Sequence, residues 1–521
     1  MPRWNRVPRR SPTRSAPREG LAAVLCVLAV LVGSLPAPVA GARPPGQAPE
    51  DSPRMSRVHG FVDAFSSGKP ETLVAFLREN ATPEWLAERP ESDRRSLFGR
   101  VMEELGAVEI EGVRFDGRAT VTVRTAAERV DAPVTFELLF EPAEPYRIAG
   151  VGIDVGAPAG LPDDLPPPPD LEDLGETARA ALDRYFRELA AADRFAGTVL
   201  LALDGEPVFE GAYGPADRSW DVPNAMSTRF DVGSINKDFT KVAVGQLLAA
   251  GTLALDDTIL DLLPDYPNPE AGRKITVRHL LEHTSGLGDL FGPEFFRTNK
   301  ALLRTNRDYF PLFADEPLRF EPGTGRSYSN AGYIVLGAIV AEVSGMPFAE
   351  SIERHVFEPA GMTGAAFAAR DEIHPDVAVG YTRQASEGSA DAPLRPNLFM
   401  LPVVGMGAGS AVATAADLLA FDRALREHRL LDPRWTEWFF TGELPPEGFA
   451  PPAGPVDHPI GIAGGAPGVN AILEGDAAHT VVVLSNVDPP TAEALGLELS
   501  RRLREVVLAP RARKPRRGST E

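Results

Sequence analysis

The sequence predicts an α+β protein of two units, and three observations predict it. Between Arg54 and Leu105 apolar residues recur at helical spacing, and from Val108 to Ile153 the period changes to two. A stretch rich in Pro and Asp, from Gly156 to Pro169, then interrupts the pattern. Beyond it, strand patterns stand at both ends of a long region whose middle is helical.

Each segment has its own signature. Arg3, Arg6, Arg9, Arg10, Arg14 and Arg18 precede an apolar run from Leu21 to Val32, and a small-residue site follows at Ala40-Gly41-Ala42. That order describes a secretory signal peptide over residues 1–42, cleaved after Ala42, and hence a secreted or periplasmic protein with no stable membrane insertion afterwards. The apolar run is shorter than the ~20 residues a spanning helix needs. Residues 51–155 form a small α+β unit. Val58, Val62 and Phe65, then Leu73, Phe76 and Leu77, then Leu97, Val101 and Leu105 mark three short helices. Strands are expected over 108–115, 119–124, 134–140 and 146–153, with Asp116-Gly117 as a hairpin turn. Helices followed by a meander resemble the cone-like folds of the nuclear transport factor and cystatin kind. No cluster of ionisable groups stands out there, which suits a spacer or docking module.

Residues 156–173 read as a stiff, polyproline-like linker. The second unit, 174–508, opens with a helix over 174–192 and a hairpin whose strands, 197–203 and 207–213, meet at Asp204-Gly205. It closes with strands over 469–473 and 480–485 and a helix over 491–507. Residues 509–521 are a basic, solvated tail.

Composition removes several function classes. With 43% hydrophobic and 24% charged residues the chain is globular. A formal net charge of −20 opposes binding to nucleic-acid phosphates. The one cysteine, Cys26, lies in the expected signal peptide, so disulfides within the chain, thiolate catalysis and Cys-ligated zinc are excluded.

The chemistry concentrates in the second unit. Phe230-Asp231-Val232-Gly233-Ser234-Ile235-Asn236-Lys237 runs into a helical apolar pattern through Val242, Leu247 and Leu248. Ser234 and Lys237, three apart, project from one helix face. The free N–H groups at the helix start favour negative charge developing at the serine oxygen, and a desolvated amine can relay its proton. Ser-x-x-Lys alone also describes a capping serine beside a solvated lysine. Further matches follow in order: Ile275 to Leu287, then Pro322-Gly323-Thr324-Gly325-Arg326-Ser327-Tyr328-Ser329-Asn330, then Ala413 to Leu418. On these residues the region from Leu174 to Val507 resembles the serine β-lactamase and penicillin-binding protein superfamily, specifically its class C β-lactamase, esterase and D-aminopeptidase branch.

The resemblance implies a β-lactamase/transpeptidase-like domain, with an antiparallel sheet drawn from both ends and a helical subdomain. It implies Ser234 as nucleophile, Tyr328 as general base beside the Lys237 charge, and Asn330 orienting Lys237 or a substrate amide. No metal or organic cofactor is implied. The family's third element departs from its pattern. Where Lys-Thr-Gly or His-x-Gly is usual, this chain has Gly461-Ile462-Ala463-Gly464-Gly465. The glycines fit, so the oxyanion donors would be the N–H groups of Ser234 and Gly465, with Gly464 beside them. Ile462 replaces the cation, which shifts the expected substrate toward a small uncharged ester or amide, with peptidoglycan fragments as possible partners. His458, four residues earlier, reads as a solvated loop residue. β-Lactamase activity, or a non-catalytic peptidoglycan- or partner-binding role, are the alternatives. His279-Leu280-Leu281-Glu282-His283 also spells an inverted zinc-protease motif, but a third ligand in recognisable context is lacking.

Overall fold

The computed structural model describes residues 53–87, 91–116, 120–128, 133–141, 144–155, 165–171, 174–325, 327–383, 393–449 and 454–508. The expected signal peptide, the basic tail, Gly117 of the expected hairpin turn, Arg326, and 156–164 with 172–173 of the expected linker lie outside the described residues.

The first unit has four helices where the periodicity suggested three: α1 (Pro53–Ser66), α2 (Pro70–Asn80), the short α3 (Pro83–Ala87) and α4 (Glu91–Leu105). The extra turn starts at Pro83, where a fixed φ favours the first helical position. Strands β1 (Val108–Asp116), β2 (Thr120–Ala127), β3 (Pro133–Phe140) and β4 (Ile148–Val155) form an antiparallel meander in chain order. Phe61 and Phe65 from α1 meet Phe136 from β3 edge-on, with ring centroids 5.4 and 5.1 Å apart. These three fully buried rings centre a core of their own.

In the second unit α5 (Glu176–Ala191) leads into β5 (Gly197–Leu203) and β6 (Glu206–Tyr213). The helices that follow include α6 (Asn236–Ala249), α7 (Val277–Leu281) and α8 (Asn330–Ser344). The chain returns to the sheet as β7 (Ile460–Ala466), β8 (Val469–Gly475) and β9 (His479–Ser485), and ends its described part in α9 (Thr491–Leu508). The five strands are antiparallel in the order β7-β8-β9-β5-β6, so chain ends meet at the sheet centre. Both faces are covered. Leu200, Ala202, Val482 and Leu484 point into the helical core, while Val199, Leu201, Val481 and Val483 point to the layer of α5 and α9. That is why these strands read as unbroken apolar runs. Among the described residues no single helix is long and apolar enough to cross a membrane.

The described part of the expected linker, 165–171, is packed rather than free. Leu165 and Leu171 are buried in the α5 and α9 layer, Tyr185 donates to the Pro166 carbonyl at 2.6 Å, and Arg502 pairs with Asp170 at 2.8 Å.

Glu474 on β8 is half-buried, and burial pushes its carboxyl up to about 7, with Arg504 opposing and Asp476 adding to the rise. A carboxyl whose folded pKa is raised favours the fold when protonated. Its contribution is complete below the ordinary value of 4.5 and is lost as pH rises through about 7. Glu474→Gln, which mimics the protonated group, is therefore expected to raise the melting temperature at pH ~8 and to leave it nearly unchanged at pH ~4.5. A difference of equal size at both pH values, read by differential scanning calorimetry, would contradict this account.

Candidate active site

Ser234 stands in a 3-10 turn, Gly233–Ile235, immediately before α6, rather than on the helix itself as the spacing suggested. The turn begins at Gly233 with φ +53, a conformation L side chains rarely adopt. Asp231 fixes it from behind: its carboxylate accepts the Gly233 N–H at 2.8 Å and is paired with Arg370. Ser234 and Lys237 still face each other, because the turn winds in the same sense as the first helical turn it precedes.

Lys237 is 6% exposed, so its ammonium must find protein acceptors. Its Nζ donates to Ser234 Oγ at 3.0 Å, to Asn330 Oδ1 at 2.8 Å and to the Ala408 carbonyl at 2.7 Å. Tyr328 Oη lies 2.8 Å from Ser234 Oγ, and Lys237 Nζ is 4.9 Å from the Tyr328 ring centroid. Two hydroxyls at that separation share one proton position, which can belong to either oxygen. The structure thus brings Ser234, Lys237, Tyr328 and Asn330 into one hydrogen-bonded cluster.

Tyr328 and Asn330 are delivered by the start of α8. Ser329 caps that helix, its Oγ accepting the Gly332 N–H at 3.0 Å and donating to the Gly288 carbonyl at 2.8 Å. Asn330 then opens the helix with its side chain turned inward. Its amide donates to both oxygens of Asp289, at 2.9 and 3.2 Å, which leaves Oδ1 free to face Lys237. Asp289 and the Ala408 carbonyl are contributors that motif reading missed. Asp289 follows the Ser285-Gly286-Leu287 run by two residues, a signal visible only in hindsight. A backbone carbonyl carries no sequence signal at all.

Gly464 and Gly465 lie on the edge strand β7, directly against the turn that carries Ser234. A Cβ added at Gly464 would fall 2.0 Å from the Val232 carbonyl oxygen and 3.0 Å from Ser234 N; one at Gly233 would fall 3.1 Å from Gly465 N. Only glycine permits two backbones to approach this closely. Ile462 shares the strand face of Gly464 and is half-buried against the helical core. His458 is tied to Glu437 through Nε2 at 2.8 Å.

Two lookalikes resolve on geometry. The His-x-x-Glu-His run is split, because α7 ends at Leu281. His279 Nδ1 accepts the Thr276 N–H inside the capping box of α7, while His283 stands past its end with φ +60. Among the described residues no group of three or more His, Cys, Asp or Glu is gathered as for a metal ion. Elsewhere Asp476, His479 and Ser500 form a hydrogen-bonded series, with His479 Nδ1 2.8 Å from Asp476 and Nε2 3.0 Å from Ser500 Oγ. His479 and Ser500 are 1% and 2% exposed, so no carbonyl can reach that serine. The series pins α9 to the β8–β9 hairpin, and burial lowers the His479 pKa, favouring the neutral ring.

On α6, burial pushes Asp238 up to about 6 and lowers Lys241, whose Nζ donates to the Phe439 carbonyl at 2.8 Å.

Residues 182–504 match the Beta-lactamase family. Penicillin-binding protein 4* of Bacillus subtilis strain 168 is 29% identical over 341 residues, covering 61% of this chain and 74% of that protein. Esterase EstB of Burkholderia gladioli is 35% identical over 201 residues, covering 36% of this chain and 51% of EstB. The chain therefore spans about half the length of that esterase. A solved penicillin binding protein from Bacillus halodurans superposes with a TM-score of 0.53 at 31% identity, covering 61% of this chain and 98% of that one.

Removing the Asn330 amide takes one acceptor from a buried ammonium, a loss of roughly 1.5–3 kcal/mol. Asn330→Ala is expected to slow covalent labelling of Ser234 by a fluorophosphonate ~10- to 100-fold with unchanged circular dichroism. Labelling at the wild-type rate would show that Lys237 does not depend on this contact.

Proposed function

The chain belongs to the Beta-lactamase family, and from that membership we propose that it is a serine hydrolase that cleaves an uncharged ester or amide through an acyl-enzyme. One observation carries the proposal: Ser234 Oγ lies 3.0 Å from a buried ammonium and 2.8 Å from a tyrosine hydroxyl. A serine in that position can lose its proton as it attacks.

Tyr328 accepts the Ser234 proton while Oγ bonds to the substrate carbonyl carbon, and the adjacent Lys237 charge stabilises the phenolate character that makes this possible. The negative charge passes to the carbonyl oxygen, which the N–H groups of Ser234 and Gly465 receive; donors of this kind contribute ~3 kcal/mol each in analogous sites. The tetrahedral species collapses, Tyr328 returns its proton to the departing alkoxide or amine, and the acyl group remains on Ser234. Water, deprotonated by the same tyrosine, then releases the acid and restores the serine.

Substrate class follows from Ile462. A carboxylate on the acyl donor finds no cation at that strand position, so a neutral donor is favoured. The names of the relatives agree in kind, one being an esterase. Nitrocefin, D-amino-acid amides and peptidoglycan fragments are the amide classes to set beside p-nitrophenyl esters. A binding role without turnover is the second reading, favoured by the same Ile462. The basic, apolar and small-residue order of residues 1–42 supports action outside the cytoplasm.

Ser234→Ala is expected to abolish p-nitrophenyl acetate turnover; a wild-type protein that neither turns over any ester or amide in the panel nor labels at Ser234 would leave only the binding reading. Ile462→Lys restores the missing cation, and a charged hydrogen bond contributes roughly 1.5–3 kcal/mol. It should raise kcat/KM for nitrocefin relative to p-nitrophenyl acetate by ~10-fold or more. An unchanged ratio would remove Ile462 from the account of specificity.

A further inference from the structure

His283, left over from the apparent zinc motif, makes three contacts to one short segment around Tyr328. Its carbonyl oxygen accepts the Ser327 N–H at 2.9 Å. Its ring Nδ1 accepts the Ser329 N–H at 3.2 Å. Its ring lies against Tyr328 itself, with centroids 4.7 Å apart and planes 28° from parallel. The N–H groups of Ser327 and Ser329, one residue to either side of Tyr328, and the face of its ring are thus held by a single residue.

The arrangement constrains His283 as well. It follows the end of α7 with φ +60, a left-handed backbone that is uncommon for a residue with a Cβ and tends to persist where the surroundings over-determine it. That conformation swings the ring out of the helix line and over Tyr328. The ring also lies 5.1 Å from the ring of Tyr333 in the first turn of α8. A backbone N–H can only donate, so Nδ1 carries a lone pair and the neutral ring holds its proton on Nε2.

Resting on the acyl-enzyme reading above, we infer that His283 is a positioning residue for the reaction: it sets the direction of the Tyr328 hydroxyl toward Ser234 by clamping the backbone on both sides of the tyrosine and stacking on its ring. It acts through Tyr328. A proton-accepting oxygen must lie within hydrogen-bond reach of the serine, and freedom of the phenol to turn in its pocket would show as a slower acylation step with little change in binding.

Three variants separate the parts of the clamp. His283→Ala loses the ring and the acceptor. His283→Asn keeps an acceptor at the Nδ1 position and tolerates the left-handed backbone. His283→Phe keeps the stacked ring without the acceptor. Acylation of Ser234 is followed as the burst of p-nitrophenol from p-nitrophenyl acetate, with melting temperature recorded for each variant. The acylation rate of His283→Ala should fall ~10- to 100-fold with KM within about twofold, and the Asn and Phe variants should each recover part of it. In a Tyr328→Phe background, His283→Ala should cost nothing further, because its route to the serine is already gone.

An undiminished burst in His283→Ala, or a loss that simply adds to that of Tyr328→Phe, would overturn the inference while leaving the hydrolase intact. A wild-type protein without burst or turnover would overturn the hydrolase reading, and the positioning role with it.

Discussion

A buried ammonium must be given as many acceptors as it has donors, and the second unit is arranged around one such group. Lys237 has three N–H bonds and three acceptors, and each acceptor comes from a different part of the chain: the Ser234 turn, the start of α8 and the segment at Ala408. Leaving any of them unmet would strand part of a buried charge, which costs roughly 1.5–3 kcal/mol. These three segments are therefore held in register by electrostatics as much as by packing. Asp289 extends the arrangement by fixing the Asn330 amide, so the carbonyl end of that side chain faces the cation.

A second constraint is steric. The turn carrying Ser234 and the edge strand β7 approach backbone to backbone, and glycine at 233 and 464 is the condition for it. The consequence is chemical, since two main chains at this distance put peptide N–H groups from both sides near the serine. Ile462 shows how local this requirement is. Two residues along the same strand face, an apolar side chain takes up core contacts where a cation would have to stay hydrated or be paired. The polarity of the cleft is left to its helical side.

The contrast between Ser234 and Ser500 makes the same point from the other direction. Ser500 has a histidine and a carboxylate in series, yet it sits on the buried face of α9, and the series serves as a staple. Identity of partners does not make a nucleophile; access to a carbonyl and nearby oxyanion donors are also required.

Much was legible beforehand, for reasons that can be named. The alternation in 108–153 appears as the four-stranded meander, and the strand patterns at the two ends of the second unit appear side by side in one sheet. Ser234 and Lys237 could be picked out by their spacing, and Tyr328 and Asn330 by the motif that carries the family resemblance; each pair lies within one turn or helix start, which keeps its side chains together. The same local logic misplaced Ser234 by one turn, since a glycine with φ +53 ends one conformation before the helix begins. The motif that His279 and His283 spell, already short of a third ligand, is broken in space because the helix between them stops at Leu281.

What the sequence determined by itself is the kind of parts: a serine, an amine three residues on, a tyrosine and an asparagine at a helix start, and a glycine-rich strand with an apolar Ile462. Those are properties of neighbours along the chain. That Ala408 completes the shell of Lys237, that Asp289 turns Asn330, that 165–171 packs instead of spanning, and that His283 lies on Tyr328 were decided by tertiary structure. Each depends on which distant segment closes over a buried polar group, and such closure leaves no periodicity for a reader of residues to find.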